Sequence, residues 1–227
     1  MFTALMLGSG LFWTLTYLLI IRQDVRDQTY GMPLVALCAN LSWEFTFAFL
    51  YPHDPIQRTV NIVWFAFDVV IFAQLLRYGP REFPDLPPRV FYAFLALALA
   101  TSCSVIILMS YEFNDWAGAY AAFGQNLLMS VLFITMLYRR RSLRGQSIAI
   151  ATCKLVGTAL ASAAFYFFVS MAQQSVLLRF LFVAILAYDL IYLALVVYVH
   201  QNAAAFERRL TAAATSGTGG VVPGTTA

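Results

Sequence analysis

Residues 37–52, LCANLSWEFTFAFLYP, decide the fold of this chain. They form an apolar stretch typical of a membrane helix, and one carboxylic acid, Glu44, lies near its middle. A charged carboxylate at the centre of a bilayer costs about 2.5–3.5 kcal/mol on insertion scales. A chain retains such a group only where a partner or a function offsets that cost.

The composition predicts an all-α polytopic membrane protein. Of 227 residues, 61% are hydrophobic and 11% are charged, whereas soluble domains are about half apolar and a quarter charged. A membrane-spanning helix needs about 20 apolar residues. Seven apolar segments are found at residues 5–21, 32–51, 60–78, 90–110, 116–138, 147–170 and 176–200. We therefore expect one seven-helix transmembrane domain over residues 1–209 and a disordered, low-complexity tail over residues 210–227.

The basic residues predict the topology. One side of the predicted bundle carries Arg22, Arg26, Arg77, Arg81, Arg89, Arg139, Arg140, Arg141, Arg144, Arg208 and Arg209. The other side carries only Arg58 and Arg179. The positive-inside rule then places the C-terminus in the cytoplasm and the N-terminus outside. Because Arg far outnumbers Lys and the tail is rich in Ala, we expect a bacterial plasma membrane. The expected partner is the lipid bilayer, with no nucleic acid, and the oligomeric state is open.

Polar residues of five segments lie at one depth. Counted from the arginine-rich end of each segment, they lie 7–12 residues in, or roughly 10–18 Å at 1.5 Å per residue. They are Glu44, Asp68, Asn126 with Gln125 beside it, Lys154 and Asp189. A shared pocket or a shared hydrogen-bond network would explain one layer near the midplane.

Two of these acids lie on faces that also carry aromatic rings. Helical spacing puts Asn40, Trp43, Glu44 and Phe47 on one face, and Ile185, Tyr188, Asp189 and Tyr192 on another. Lys154 cannot neutralise every acid, and a buried acid without a cation stays protonated. Such an acid among rings can donate a proton to a substrate that becomes a carbocation. We interpret Asp68–Lys154 as a structural ion pair, whereas Gln125 and Asn126 either join helices or line the site.

Five stretches, in order, resemble one family. They are NLSWEFTFAFLYP (40–52), VWFAFDVVIFAQLLRYG (63–79), AYAAFGQNLLMSVLFITMLYRR (119–140), RGQSIAIATCKLVGT (144–158) and AYDLIYLALV (187–196). The chain resembles the small integral-membrane terpene cyclases of fungal meroterpenoid and indole-diterpene pathways, such as the pyripyropene and paxilline cyclases, and their bacterial drimentine-type relatives.

The resemblance implies a seven-helix enzyme that cyclises a linear farnesyl-type chain, as alkene or epoxide, attached to an aromatic or indole unit. It implies that Glu44 and Asp189 are the essential acids. Asn40, Trp43, Phe47, Asp68, Gln125, Asn126, Tyr188 and Tyr192 are the residues expected to line the substrate or its cation. The metal-binding motif DDxxD is absent from the sequence, so no cofactor is expected.

Other functions fit the same polar layer. A small transporter with a midplane binding site is the main alternative, although the sequence shows no internal repeat. A retinal-binding protein needs a Schiff-base Lys in its last helix, where this chain has Asp189.

Overall fold

The computed structural model describes residues 1–202 and is helical throughout, apart from short connections. Six helices are long and apolar enough to cross a membrane. They are α1 (Phe2–Asp27), α3 (Pro55–Tyr78), α4 (Pro88–Glu112), α5 (Ala119–Arg140), α6 (Ile148–Phe168) and α8 (Val176–Gln201). The shorter elements are α2 (Leu34–Phe45), a π-helical turn (Thr46–Leu50), a 3-10 turn (Gly79–Glu82) and α7 (Ser170–Gln174). The tail predicted for residues 210–227 lies outside the described residues.

Each predicted apolar segment corresponds to a helix, but the second is shorter than the others. Together α2 and the π-helical turn cover Leu34–Leu50, which is about 25 Å long at 1.5 Å per residue. The hydrocarbon core of a bilayer is about 30 Å thick. Nearly every α2 residue is buried, so protein rather than lipid surrounds this helix. That burial allows α2 to carry several polar side chains.

Side-chain caps fix the start of three helices. Asp54 accepts hydrogen bonds from the backbone N–H groups of Ile56 and Gln57 at the start of α3. Ser147 and Ser175 accept equivalent bonds at the starts of α6 and α8. These side chains satisfy backbone donors that a helix leaves free at its first turn. The sequence therefore defines where these helices begin.

Five of the long helices and α2 form a closed ring. In order around it, α1 packs on α3, α3 on α2, α2 on α5, α5 on α8, α8 on α6, and α6 on α1. The remaining long helix, α4, packs outside this ring against α2 and α5. Large apolar side chains such as Leu97, Leu108 and Val183 are exposed on the outer faces, as a lipid environment requires. The charged side chains that point into the ring are buried.

Arginine side chains join three loops on the arginine-rich side of the bundle. Glu82 accepts from Arg144 at 2.8 Å and lies 3.6 Å from Arg140. Arg144 also donates to the backbone carbonyls of Asp27 and Gln28. The Arg139 guanidinium lies 4.1 Å from the centre of the Phe83 ring. These arginines therefore hold the loops together, in addition to supplying the charge asymmetry seen in the sequence.

Candidate functional site

Every helix of the ring contributes a polar side chain to its interior. The contributors are Tyr17 from α1, Asn40 and Glu44 from α2, Asp68 from α3, Gln125 and Asn126 from α5, Lys154 from α6 and Asp189 from α8. The four charged members are fully enclosed, with at most 1% of their surface exposed. The polar layer predicted from helix depth thus lies inside the ring, where it forms two hydrogen-bond clusters.

The first cluster joins Glu44 to Asp68. The amide nitrogen of Asn40 lies 3.0 Å from Oε1 of Glu44 and 2.8 Å from Oδ2 of Asp68. Tyr17 donates its hydroxyl proton to the same Oε1 of Glu44 at 2.5 Å. The amide oxygen of Asn40 accepts from Gln125 at 3.2 Å. Asn40 therefore holds two carboxyl groups from different helices side by side.

This cluster favours a bound proton. Among the described residues, no Lys, Arg or His forms a salt bridge with Glu44 or Asp68. Oε2 of Glu44 and Oδ1 of Asp68 are buried and have no hydrogen-bond partner. Two adjacent carboxylates in a low-dielectric interior repel each other, and each loses its hydration. The pair is therefore expected to keep at least one proton, as a proton donor must.

The second cluster is an ion pair. The Lys154 ammonium lies 2.6 Å from Oδ1 of Asp189. It also donates to the hydroxyl of Ser130 at 2.7 Å and to the amide oxygen of Asn126 at 3.2 Å. The Trp13 ring lies 6.0 Å from the same nitrogen. These partners hold Lys154 in place and leave Oδ2 of Asp189 without a hydrogen bond.

The ion pair differs from the one expected from the sequence. Lys154 contacts Asp189 and not Asp68, because Lys154 and Asp189 lie on the neighbouring helices α6 and α8. Asp68 lies on α3 and contacts Asn40 on α2. Glu44 and Asp189 consequently belong to separate clusters and not to one network. The consecutive residues Gln125 and Asn126 on α5 connect the two, one binding in each cluster.

The predicted aromatic lining is only partly assembled. Trp43 and Phe47 pack together on the α2 face that carries Glu44, with ring centres 5.1 Å apart. Tyr192 is fully buried one turn from Asp189 and packs on Phe133. Tyr188, in contrast, is 39% exposed on the outer face of α8. The sequence interpretation was wrong for Tyr188. Residues with helical spacing cover a wide face of the helix, and Tyr188 lies at the edge of that face, which here turns towards lipid.

Tyr17 is the main site residue that the sequence reasoning missed. It is almost fully buried and lies on a face of α1 that also carries Trp13, Thr16 and Ile20. The i, i+3, i+4, i+7 spacing of these residues marks an inward face. Ser130 and Thr158 were also missed, since short hydroxyl side chains are common in membrane helices. Thr158 accepts a hydrogen bond from Asn126 at 3.1 Å.

A histidine packs against the aromatic rings of α2 and the π-helical turn on the arginine-poor side. The His53 ring stacks on Phe47 with centres 4.9 Å apart. Its Nε2 lies 3.2 Å from the carbonyl of Ala117, and its Nδ1 lies 3.1 Å from the amide nitrogen of Asn61. These partners suit a neutral ring that donates from Nε2 and accepts at Nδ1. Burial lowers the pKa of His53 below its ordinary value, which also favours the neutral ring.

Metal ligands are not grouped in this interior. Within residues 1–202, no set of three or more His, Cys, Asp and Glu side chains is placed to hold a metal ion. The chemistry that these residues can perform is proton transfer at the Glu44–Asp68 pair and stabilisation of positive charge beside Asp189 and the aromatic rings.

Comparison with known proteins finds relatives that are named terpene cyclases. The chain is 31% identical over 166 residues to the Pyr4-family terpene cyclase mfmH of Annulohypoxylon moriforme, an alignment that covers 71% of this chain and 68% of the relative. It is 29% identical over 164 residues to the terpene cyclase pyr4 of Aspergillus fumigatus (67% and 65%). It is 27% identical over 214 residues to the terpene cyclase macJ of Penicillium terrestre (88% and 81%). No solved structure is significantly similar.

A family match covers the whole described part of the chain. The sequence model of the Pyr4-like transmembrane terpene cyclases matches residues 1–202, which include all the helices of the ring and both polar clusters. The chain therefore belongs to the Pyr4-like transmembrane terpene cyclases.

Proposed function

We propose that this terpene cyclase closes rings in a linear farnesyl-type chain attached to an aromatic or indole unit, and that a proton from Glu44 starts the reaction. The supporting observation is the Glu44–Asp68 pair, which shares one Asn40 amide and has no cationic partner among the described residues. A carboxyl group that keeps its proton inside a membrane bundle has that proton available for an alkene or an epoxide. Asp68 and Tyr17 act as positioning residues that orient it.

The reaction is an isomerisation, so its protons balance. Glu44 gives its proton to the terminal alkene or epoxide oxygen, and the resulting cation is attacked by the next double bond. Loss of a proton from carbon then forms the product alkene. Asp189 stabilises the cation through its unbonded oxygen Oδ2, while Lys154 fixes its position. A basic group in the ring interior accepts the proton that the carbon releases. When a proton returns to Glu44, the enzyme is restored.

Aromatic rings protect the cation from water. Trp43 and Phe47 lie beside Glu44, and Tyr192 lies beside Asp189. Their π faces attract positive charge without acting as nucleophiles. The enclosed ring of helices excludes bulk water, which would otherwise quench the cation.

The topology and the cell membrane belong to the same proposal. In this proposal the chain crosses the membrane seven times, with the short Leu34–Leu50 segment as one crossing, and the distribution of arginines favours an N-terminus outside and the arginine-rich side in the cytoplasm. The bacterial plasma membrane rests on the Arg and Ala bias of the sequence alone. The relatives named above are fungal and give that location no support.

A transporter is the alternative function for a midplane polar site. The relatives are named terpene cyclases, and the family model covers the full ring, so the comparisons do not favour transport.

Membranes that contain the chain provide the test. They are incubated with farnesylated phenols and indoles, each as alkene and as terminal epoxide, with and without EDTA. NMR identifies the product, because cyclisation leaves the mass unchanged. We expect a cyclic isomer at the same rate in EDTA. No cyclic isomer from any of these substrates would contradict the proposed substrate class, and loss of activity in EDTA would contradict the metal-independent mechanism.

A further inference from the structure

A groove runs along the outside of the ring between α6 and α8. Its volume is about 470 Å³, within the range of small-molecule sites. The groove opens on a surface where large apolar side chains are exposed, including Val183 and Leu186. It therefore faces the lipid and not the aqueous solvent.

Small side chains on one face of α6 create the groove. Ala159, Ser162 and Ala163 line it at spacings of three and four residues, which puts them on the same side of the helix. Opposite them, α8 presents Phe182 and Val183. A large residue at position 159 or 163 would fill the space between the helices.

The two ends of the groove differ chemically. The inner end is lined by Asp189 and Thr158. Asp189 is 1% exposed, and its Oδ2 has no hydrogen-bond partner. The outer end is lined by Arg179 and Tyr166. Ten residues of α8 separate Arg179 from Asp189, which is about 15 Å at 1.5 Å per residue.

This polarity fits one class of occupant. The groove suits a molecule that is apolar over about 15 Å, carries a polar or aromatic unit at the membrane surface, and can place developing positive charge beside the unbonded Oδ2 of Asp189. A prenyl chain attached to an aromatic unit has all three properties. Arg179 forms no ion pair in the part of the chain that the structure describes. Its Nε donates to the Ser175 carbonyl at 3.4 Å, and the rest of its guanidinium is available to stack on an aromatic unit or to donate to its oxygen atoms. A saturated phospholipid chain develops no charge opposite Asp189.

We propose that the groove between α6 and α8 is the docking site for the substrate's prenyl chain, with the aromatic unit at Arg179 and the terminal isoprene unit beside Asp189. The inference rests on the proposed cyclase function and adds the route of access, which is lateral from the bilayer. Hydrogen bonds of Gln125 and Asn126 join the Asp189 cluster, at the inner end of the groove, to the Glu44 cluster. A chain drawn from the lipid thus reaches Asp189 without crossing water.

Blocking the groove tests the proposal. Ala163→Trp fills it, Ala163→Leu fills it partly, and Ala96→Trp on the exposed face of α4 is the matched control. The probe is a farnesyl phenyl ether with a photoreactive diazirine in its terminal unit, and cross-linked peptides are identified by mass spectrometry. Thermal stability of each variant checks folding. This readout needs no turnover.

The expected result is cross-linking to α6 and α8 in the parent chain and in Ala96→Trp. We expect a loss of at least about tenfold in Ala163→Trp, the change that corresponds to about 1.4 kcal/mol of binding, and a smaller loss in Ala163→Leu. Undiminished labelling of α6 and α8 in Ala163→Trp would contradict the proposed docking site. Displacement of the probe by an equimolar amount of diacyl phospholipid would also contradict it. If the probe labels the groove but no substrate is cyclised, the docking site is supported and the proposed function is contradicted.

Discussion

Tyr17 on α1 donates a hydrogen bond of 2.5 Å to Oε1 of Glu44 on α2, 27 positions along the chain. The bond crosses the interior of the helix ring and leaves the other carboxyl oxygen, Oε2, without a partner. A proton bound to Oε2 is therefore the one available to a substrate. The relationship makes Tyr17 a positioning residue, since it orients the acid without needing to touch the substrate.

Tyr17→Phe tests that role. The variant keeps the ring packing but removes the donor, so the carboxyl loses its orientation. We expect kcat to fall by up to about tenfold with little change in KM, because a hydrogen bond between neutral groups contributes about 0.5–1.5 kcal/mol. Tyr188→Phe, which removes a hydroxyl on the lipid-facing side, is the matched control and should keep full activity. Equal kcat values in both variants would remove Tyr17 from the mechanism.

The Lys154–Asp189 pair makes a prediction about stability. Lys154→Met leaves the Asp189 carboxylate buried without its cation and should lower the free energy of unfolding by about 3–5 kcal/mol. The double variant Lys154→Met with Asp189→Asn removes both charges and should recover most of that loss. Thermal unfolding in detergent provides the measurement. A double variant no more stable than Lys154→Met would show that the two residues are not coupled as the 2.6 Å contact implies.

Asp189→Asn separates catalysis from that structural role. The substitution keeps the shape of the side chain but removes the negative charge that faces the cation. We expect turnover to fall by about 10²-fold or more, the range measured when one preorganised electrostatic partner is removed. The double variant Lys154→Met with Asp189→Asn, which should regain thermal stability, should be equally inactive. Normal turnover by Asp189→Asn in folded protein would leave Asp189 a structural residue only.

His53 gives a prediction about pH. Burial lowers the pKa of its ring, and the carbonyl of Ala117 and the carboxylate of Asp54 oppose that change. A His with a lowered pKa in the folded state contributes its full stability above the unfolded pKa of about 6.5 and loses it as the pH falls below that value. The melting temperature should therefore fall between pH 7.5 and 5.5, and it should fall less in His53→Phe, a variant that keeps the stack on Phe47. If the melting temperatures of the parent and of His53→Phe depended equally on pH, groups other than His53 would be responsible for the fall.

The sequence predicted the elements well because their signals are local. Hydropathy located seven apolar segments that correspond to helices, although α3 begins at Pro55, five residues before the predicted segment, because Asp54 caps it there. The shortness of α2 was hidden, since apolar residues such as Met32 and Tyr51 extend the segment at both ends. Helix depth correctly grouped the polar side chains, because depth follows from residue counts alone.

The pairing of those side chains was not predictable in the same way. Whether Lys154 meets Asp68 or Asp189 depends on which helices are neighbours and how each is rotated about its axis. Those quantities are set by packing across the whole bundle. Tyr17 was missed for a related reason: a Tyr in a membrane helix is common, and only the ring closure between α1 and α2 through α3 brings its hydroxyl to Glu44.

Glu44→Gln tests whether the Glu44 carboxyl supplies the proton that starts cyclisation. The amide keeps the size of the side chain and can still accept from Tyr17, but it has no acidic proton to give. Membranes with the parent chain and with Glu44→Gln are compared on a farnesylated acceptor that the parent cyclises, with the cyclic isomer measured by NMR and folding checked by thermal stability. We expect a folded variant whose rate is lower by at least about 10²-fold, the contribution of a general acid. Cyclisation by Glu44→Gln at the parent rate would contradict it.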